Sequence, residues 1–273
     1  MRFASSVVLL LFCLPGVACG PNANLGDDDE GSADASVASA DGAPRVDAQP
    51  EVTQMYVHTS DELYVIDDQN FDMTLIGPFG LPAAEGGITD LAVTPDGTLY
   101  GISATKLFKL DGVTGAATYI ANVPGVTNVG LTFLPDGTLL ATDKSGGVRQ
   151  INPASGVTNE VGVFGGGYAT AGDLVAVADG TMFAISDDGP NGNEANNNVL
   201  LVVNTATGDA TPVGQIGFGG VYGCAVANNK VYAFTSQGHV IEIDPVTGQG
   251  TSRRQHVGTS FWGAGVTPLA AIE

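Results

Sequence analysis

One phrase recurs along this chain and leaves few folds open to it. "DLAVTPDGTLYGI" begins at Asp90, "GLTFLPDGTLLAT" at Gly130 and "DLVAVADGTMFAI" at Asp173. Their turn aspartates, Asp96, Asp136 and Asp179, lie 40 and 43 residues apart. A second marker, an Asp or Asn four residues before a Gly, occurs as "DGVTG" at Asp111, "NPASG" at Asn152, "NTATG" at Asn204 and "DPVTG" at Asp244, at spacings of 41, 52 and 40. The long interval contains "DDGPNGNEANNN" from Asp187 to Asn198. Removing about eleven residues of it restores the period, and a period near 40 with four short strands in each unit is the signature of a β-propeller.

The residues within each unit support strands and tight turns. Leu91 and Val93 alternate with Ala92 and Thr94, the period of a strand. Pro95 presets the first corner of a turn, and Gly97 supplies the left-handed position that a type I turn with a bulge requires. In the second marker the Asp or Asn caps its own turn through its side chain. These acids therefore have a structural use, and Asp96, Asp111, Asp136 and Asp244 are set aside as catalytic groups.

Let strands a to d run from the axis of each blade outward. Complete units begin near Asp90, Gly130, Asp173 and Gly223. Before them, "QMYVHTS", "DELYVID" and "MTLIGPF" read as strands b, c and d without an a. After them, "FWGAGVTP" from Phe261 reads as an a without successors. The expectation is an all-β propeller of five four-stranded blades over residues 51–273, the first blade closed by the C-terminal strand. Closure removes the sheet edges that invite aggregation. Through "PDGTLYG" and the D-x-x-T-G turns the repeats resemble the NHL, quinoprotein-like and lactonase-like propellers. That resemblance implies the fold, and a propeller fold alone does not give a function.

The residues before the repeats are of another kind. Arg2 precedes "VVLLLFCL" (Val7 to Leu14), an apolar run too short to cross a bilayer, which takes roughly 20 residues. "GVAC" follows, so that residues 1–18 read as a signal peptide and Cys19 resembles the lipidated cysteine of a bacterial lipobox, with Gly16 where that family has Leu. The same small residues also suit ordinary cleavage after Ala18, which would release a soluble exported protein. Residues 19–50, with seven acids against Arg45 and little to bury, read as a disordered acidic tether. The expected location is the bacterial cell envelope, with a lipid on Cys19 as the membrane anchor. Cys224 is left alone in the repeat region and reads as a small buried apolar residue.

A formal net charge of −20, with nine scattered Lys and Arg, disfavours nucleic acid as a partner, because phosphate recognition needs clustered cations. The irregular loops fall at the d–a and b–c connections, which share one face of a propeller. There the residues that open each strand a (Asp90, Gly130, Asp173, Gly223 and Gly263) should ring the axis. Asp90 and Asp173 among glycines are a possible oxygen-ligand pair for a cation such as Ca2+, or else caps that accept backbone N–H bonds. Tyr168, Tyr222, Phe261 and Trp262 lie in the d–a loops and form the expected binding face, suited to stacking on a sugar or to contact with a cation. Phe79, Phe164 and Phe218 read as packing between blades. Asp187, Asp188, Asn191, Asn193 and Glu194 of the insertion lack the order of an EF-hand loop.

His58, His239 and His256 sit on three separate strands without metal-ligand spacing, and no G-x-S-x-G occurs. The leading expectation is a non-catalytic binding or scaffolding module for an envelope protein or glycan. The alternative is a metal-dependent hydrolase or lactonase centred on Asp90 and Asp173.

Overall fold

The computed structural model describes residues 54–187 and 197–272. The signal peptide, Cys19, the tether and the insertion residues Asp188, Asn191, Asn193 and Glu194 lie outside the described residues. Within them the chain forms five four-stranded antiparallel sheets around a common axis, the five-bladed propeller expected from the repeats. No helix among the described residues is long and apolar enough to cross a membrane.

Blade 1 holds β1 (Met55–His58), β2 (Glu62–Ile66) and β3 (Met73–Pro78). Blade 2 runs from the axis outward as β4 (Asp90–Val93), β5 (Leu99–Ile102), β6 (Lys106–Leu110) and β7 (Ala117–Asn122). Blade 3 follows as β8 (Asn128–Phe133), β9 (Leu139–Asp143), β10 (Gly147–Ile151) and β11 (Thr158–Val163). Blade 4 is β12 (Thr170–Ala176), β13 (Met182–Ser186), β14 (Val199–Val203) and β15 (Ala210–Gln215). Blade 5 is β16 (Val221–Ala227), β17 (Lys230–Thr235), β18 (His239–Ile243) and β19 (Gly250–Gln255). The last strand, β20 (Gly263–Gly265), pairs with β1 through Tyr56–Gly265, Val57–Ala264 and His58–Gly263, and supplies the missing inner strand of blade 1.

Each c–d turn is six residues long and is capped by its first residue. Asp111 Oδ1 accepts the N–H groups of Val113 and Thr114, and Asn152, Asn204 and Asp244 repeat the pattern. The structure adds a fifth copy at Asp67, whose Oδ1 accepts Gln69 and Asn70. Phe71 takes the glycine position there, at φ 61°, so the motif is masked in the sequence. Blade 5 likewise replaces the PDG turn by Asn228-Asn229, both at positive φ, as a two-residue type I′ hairpin requires.

These turns also join the blades. The turn glycines of blades 2 to 5 press on the outer strand of the preceding blade. A Cβ on Gly248 would lie 2.6 Å from the Gly214 carbonyl oxygen, and one on Gly115 only 2.3 Å from that of Gly77. The joint that closes the ring, between blades 5 and 1, is built differently. Phe71 packs on Tyr232 at 5.4 Å, His256 Nε2 donates to the Phe71 carbonyl, and Arg254 holds the Asn70 carbonyl and the Asp72 carboxylate. Phe79 and Phe164 are buried between blades as expected, but the equivalent residue in blade 4 is Ile216. Ile216, not Phe218, has the carbonyl that accepts the first N–H of the next outer strand. Phe218 lies two residues further on, half-buried against His239.

The joints predict a contrast between two left-handed glycines. Gly97 has φ 86° but open space around it, so Gly97→Ala should cost only the roughly 1–2 kcal/mol of placing a side chain at positive φ. Gly248→Ala, at φ 78°, adds the collision with blade 4 and should cost clearly more. Urea unfolding of the two variants checks this, and equal losses would mean that the joint does not bear on stability.

Candidate functional site at the axis

The five residues aligned from the sequence do ring the axis, and the N–H groups of the residues after them converge there. Asp90 Oδ1 accepts Leu91 N–H at 2.8 Å and its Oδ2 accepts Leu131 N–H at 2.6 Å. Asp173 Oδ1 accepts Leu174 N–H at 2.6 Å, and its Oδ2 accepts both Cys224 N–H and, at 3.1 Å, Ala264 N–H. Those five donors come one from each blade. Two carboxyl groups thus satisfy the inner strands of the whole ring, and they lie near enough for one, when protonated, to donate to the other.

Both side chains are fully buried. A hydrogen bond between two carboxyl groups needs a proton on one of them. Burial raises both pKa values well above the ordinary carboxylate range, and for Asp90 the charge of Asp173 raises it further. All four oxygens already accept backbone N–H bonds, which makes the pair an internal acceptor cluster, not an open ligand set for a cation. Among the described residues no group of three or more His, Cys, Asp or Glu is placed to hold a metal. Cys224 is buried beside the pair, and burial together with the two acids raises its thiol pKa, so it is not poised as a nucleophile.

The glycines of the ring leave room for side chains of the second strands. A Cβ on Gly263 would lie 2.4 Å from His58 Nε2 and 2.5 Å from Asp90 Oδ1. His58 is buried, Nδ1 bonds to the Thr59 carbonyl and Nε2 has no partner among the described residues. Burial lowers its pKa to about 4, so the imidazole is neutral at pH 7 and bare Nε2 is an acceptor.

Each ring residue is preceded by one that faces the mouth of the axis. Thr89, Val129, Gly172, Tyr222 and Trp262, one from each blade, line a depression of about 220 Å³ with Lys144 at its side. Of the four aromatics expected on this face, the structure brings Tyr222 and Trp262 together here. Phe261 is fully buried, packed edge-on against Phe234 and His256, and lies beneath the face. Tyr168 is half-buried against the core of blades 3 and 4 and does not line the depression. Lys144, which sequence reasoning did not single out, enters from the b–c turn of blade 3, one residue past the end of β9.

No family model matches the chain, and no curated protein matches it. Solved structures do. A chain of a nidogen/laminin complex superposes with a TM-score of 0.53 at 13% identity, covering 78% of this chain and 98% of its own. A symmetrical protein from a study of de novo emergence superposes at 0.52 with 17% identity, covering 80% and 99%. At these identities the likeness is one of fold. Because 1060 solved chains match, the fold by itself selects no function.

The pair makes stability depend on pH with a definite sign. Its folded pKa values lie above the unfolded one of about 4, so the native state binds more protons than the unfolded state above that pH. The stability that the pair supplies is complete below the unfolded value and is lost as pH rises through the folded values. Asp90→Asn keeps a donor to Asp173 without an ionisable group, so its stability should fall less steeply with rising pH than that of the parent. Asp90→Ala, which orphans two buried N–H groups, should cost roughly 2–6 kcal/mol. Urea titrations from pH 5 to 9 check both, and parallel curves for the parent and Asp90→Asn would exclude the shared proton.

Proposed function

We propose that this protein is an exported, lipid-anchored binding module that presents the mouth of a rigid five-bladed ring to a partner in the cell envelope. One observation carries the reading. The irregular connections and the depression lined by every blade lie on one face, whereas the c–d turns of the opposite face are all six residues long and capped alike. Binding residues on irregular loops over a rigid scaffold are the usual arrangement. Trp262 is 38% exposed and lines the mouth of the axis beside Tyr222. Tyr and Trp are also the residues over-represented among binding hot spots. The partner is an envelope protein or glycan that meets Tyr222 and Trp262.

Export and anchoring rest on the sequence, through the apolar run and Cys19. A hydrolase centred on Asp90 and Asp173 finds less support, since both carboxylates are buried and hydrogen-bonded within the ring.

Two outcomes are expected. Joint Tyr222→Ala and Trp262→Ala substitution should reduce capture of envelope partners by the full chain at least tenfold, with an unchanged melting temperature. Undiminished capture would remove this face from the reading. Cys19→Ser should move the chain from the membrane fraction to the soluble fraction of a bacterial host, and a membrane fraction that is unchanged would refute the lipid anchor.

A further inference from the structure

The axial depression has a one-sided chemistry. The residues that line it include Lys144, Trp262 and Tyr222, whose ammonium, indole N–H and hydroxyl bond to no other described residue. The remaining polar side chain of the wall, Thr89, is already committed, because its Oγ1 donates to the carbonyls of Ile102 and Asn128. No carboxylate lines the depression, in a chain that carries 29 of them. The acid next to Lys144, Asp143, accepts Ser145 and Gly147 N–H through its Oδ1. Directly beneath, Asp90 and Asp173 are engaged with five backbone donors.

Lys144 is one of two exposed lysines, with Lys109, that have no carboxylate partner among the described residues, and of the two it alone stands at the depression. A cation beside an exposed indole and a phenol, with an apolar wall at Val129, complements a ligand with an acceptor charge at one end and a flat apolar body at the other. Its volume of about 220 Å³ lies below the roughly 300–1000 Å³ of pockets for drug-sized ligands and suits a single ring or side chain.

We propose that the axial depression binds a monocarboxylate with an apolar body. The ligand is a small free acid or the C-terminal carboxylate of a polypeptide that ends in an aromatic residue. The carboxylate bonds to Lys144 and the body stacks on Trp262 and Tyr222. This rests on the reading of the same face as the binding face and narrows it to one ligand class. Charge-assisted hydrogen bonding supplies the discrimination against neutral analogues. Since Lys144 is exposed, salt weakens the contact.

Trp262 is the one tryptophan of the chain, so its emission reports the depression directly. The full chain is titrated with benzoate, benzyl alcohol and benzylamine, and with a short peptide that ends in Phe as the free acid or as the amide. Saturable quenching is expected with benzoate or the peptide acid, at least tenfold stronger than with the alcohol, the amine or the peptide amide. It should fall at least tenfold in Lys144→Gln and in 0.5 M salt. Saturation by the peptide acid alone assigns the ligand to polypeptide termini, and saturation by benzoate too extends it to free acids. Equal affinity for the neutral analogues, or an unchanged Lys144→Gln, overturns the acid class and leaves the binding face intact. No saturation by any probe, while Trp262→Ala still abolishes partner capture, likewise overturns only this inference. No saturation together with undiminished capture overturns both.

Discussion

The ring depends on two carboxyl groups at its centre. Five strands that meet at an axis direct five backbone N–H groups toward one small space, and buried donors without acceptors cost about 1–3 kcal/mol each. Asp90 and Asp173 meet that demand with four oxygens, Asp90 serving blades 2 and 3 and Asp173 serving blades 4, 5 and 1. Three blades have glycine at the same position, and the space left by the absent side chains admits the carboxyls and the second-strand residues beside them. Asp on all five blades would crowd like charges at the axis, and Gly on all five would leave the donors bare.

The outer part of the ring is held by a different device. Close backbone contact between turn glycines and the preceding blade works at four joints, where both partners are residues of regular repeats. The fifth joint must connect the two ends of the repeat region, and there β20 is only three residues long. Phe71, Arg254 and His256 supply side-chain contacts instead. The left-handed conformation of Phe71 costs roughly 1–2 kcal/mol, and burial of its ring against Tyr232 offsets that cost.

The proposed binding role belongs to the rim. Both acids at the axis are engaged within the fold. The residues immediately before the ring positions line the mouth of the axis, each from a different blade, so a rigid frame fixes groups that are far apart in the chain. That is how Lys144 comes to stand with Trp262, although neither repeat phase nor spacing connects them in the sequence.

The sequence by itself determined the fold class, the blade count and the closure by the C-terminal strand, because the period, the turn glycines and the strand alternation are local properties repeated many times. It also named the residues of the axial ring by alignment, and offered N–H capping as one role for Asp90 and Asp173. What only the tertiary structure decided is what those residues meet. Both acids bond to strands 41 to 91 residues away, contacts that no local pattern encodes. Phe261 and Trp262 are adjacent in the chain, yet one is sealed in the core and the other lines the mouth. The fifth capped turn at Asp67 escaped notice because Phe71 holds a conformation usually left to glycine, and the packing of blade 1 against blade 5 is what holds it there.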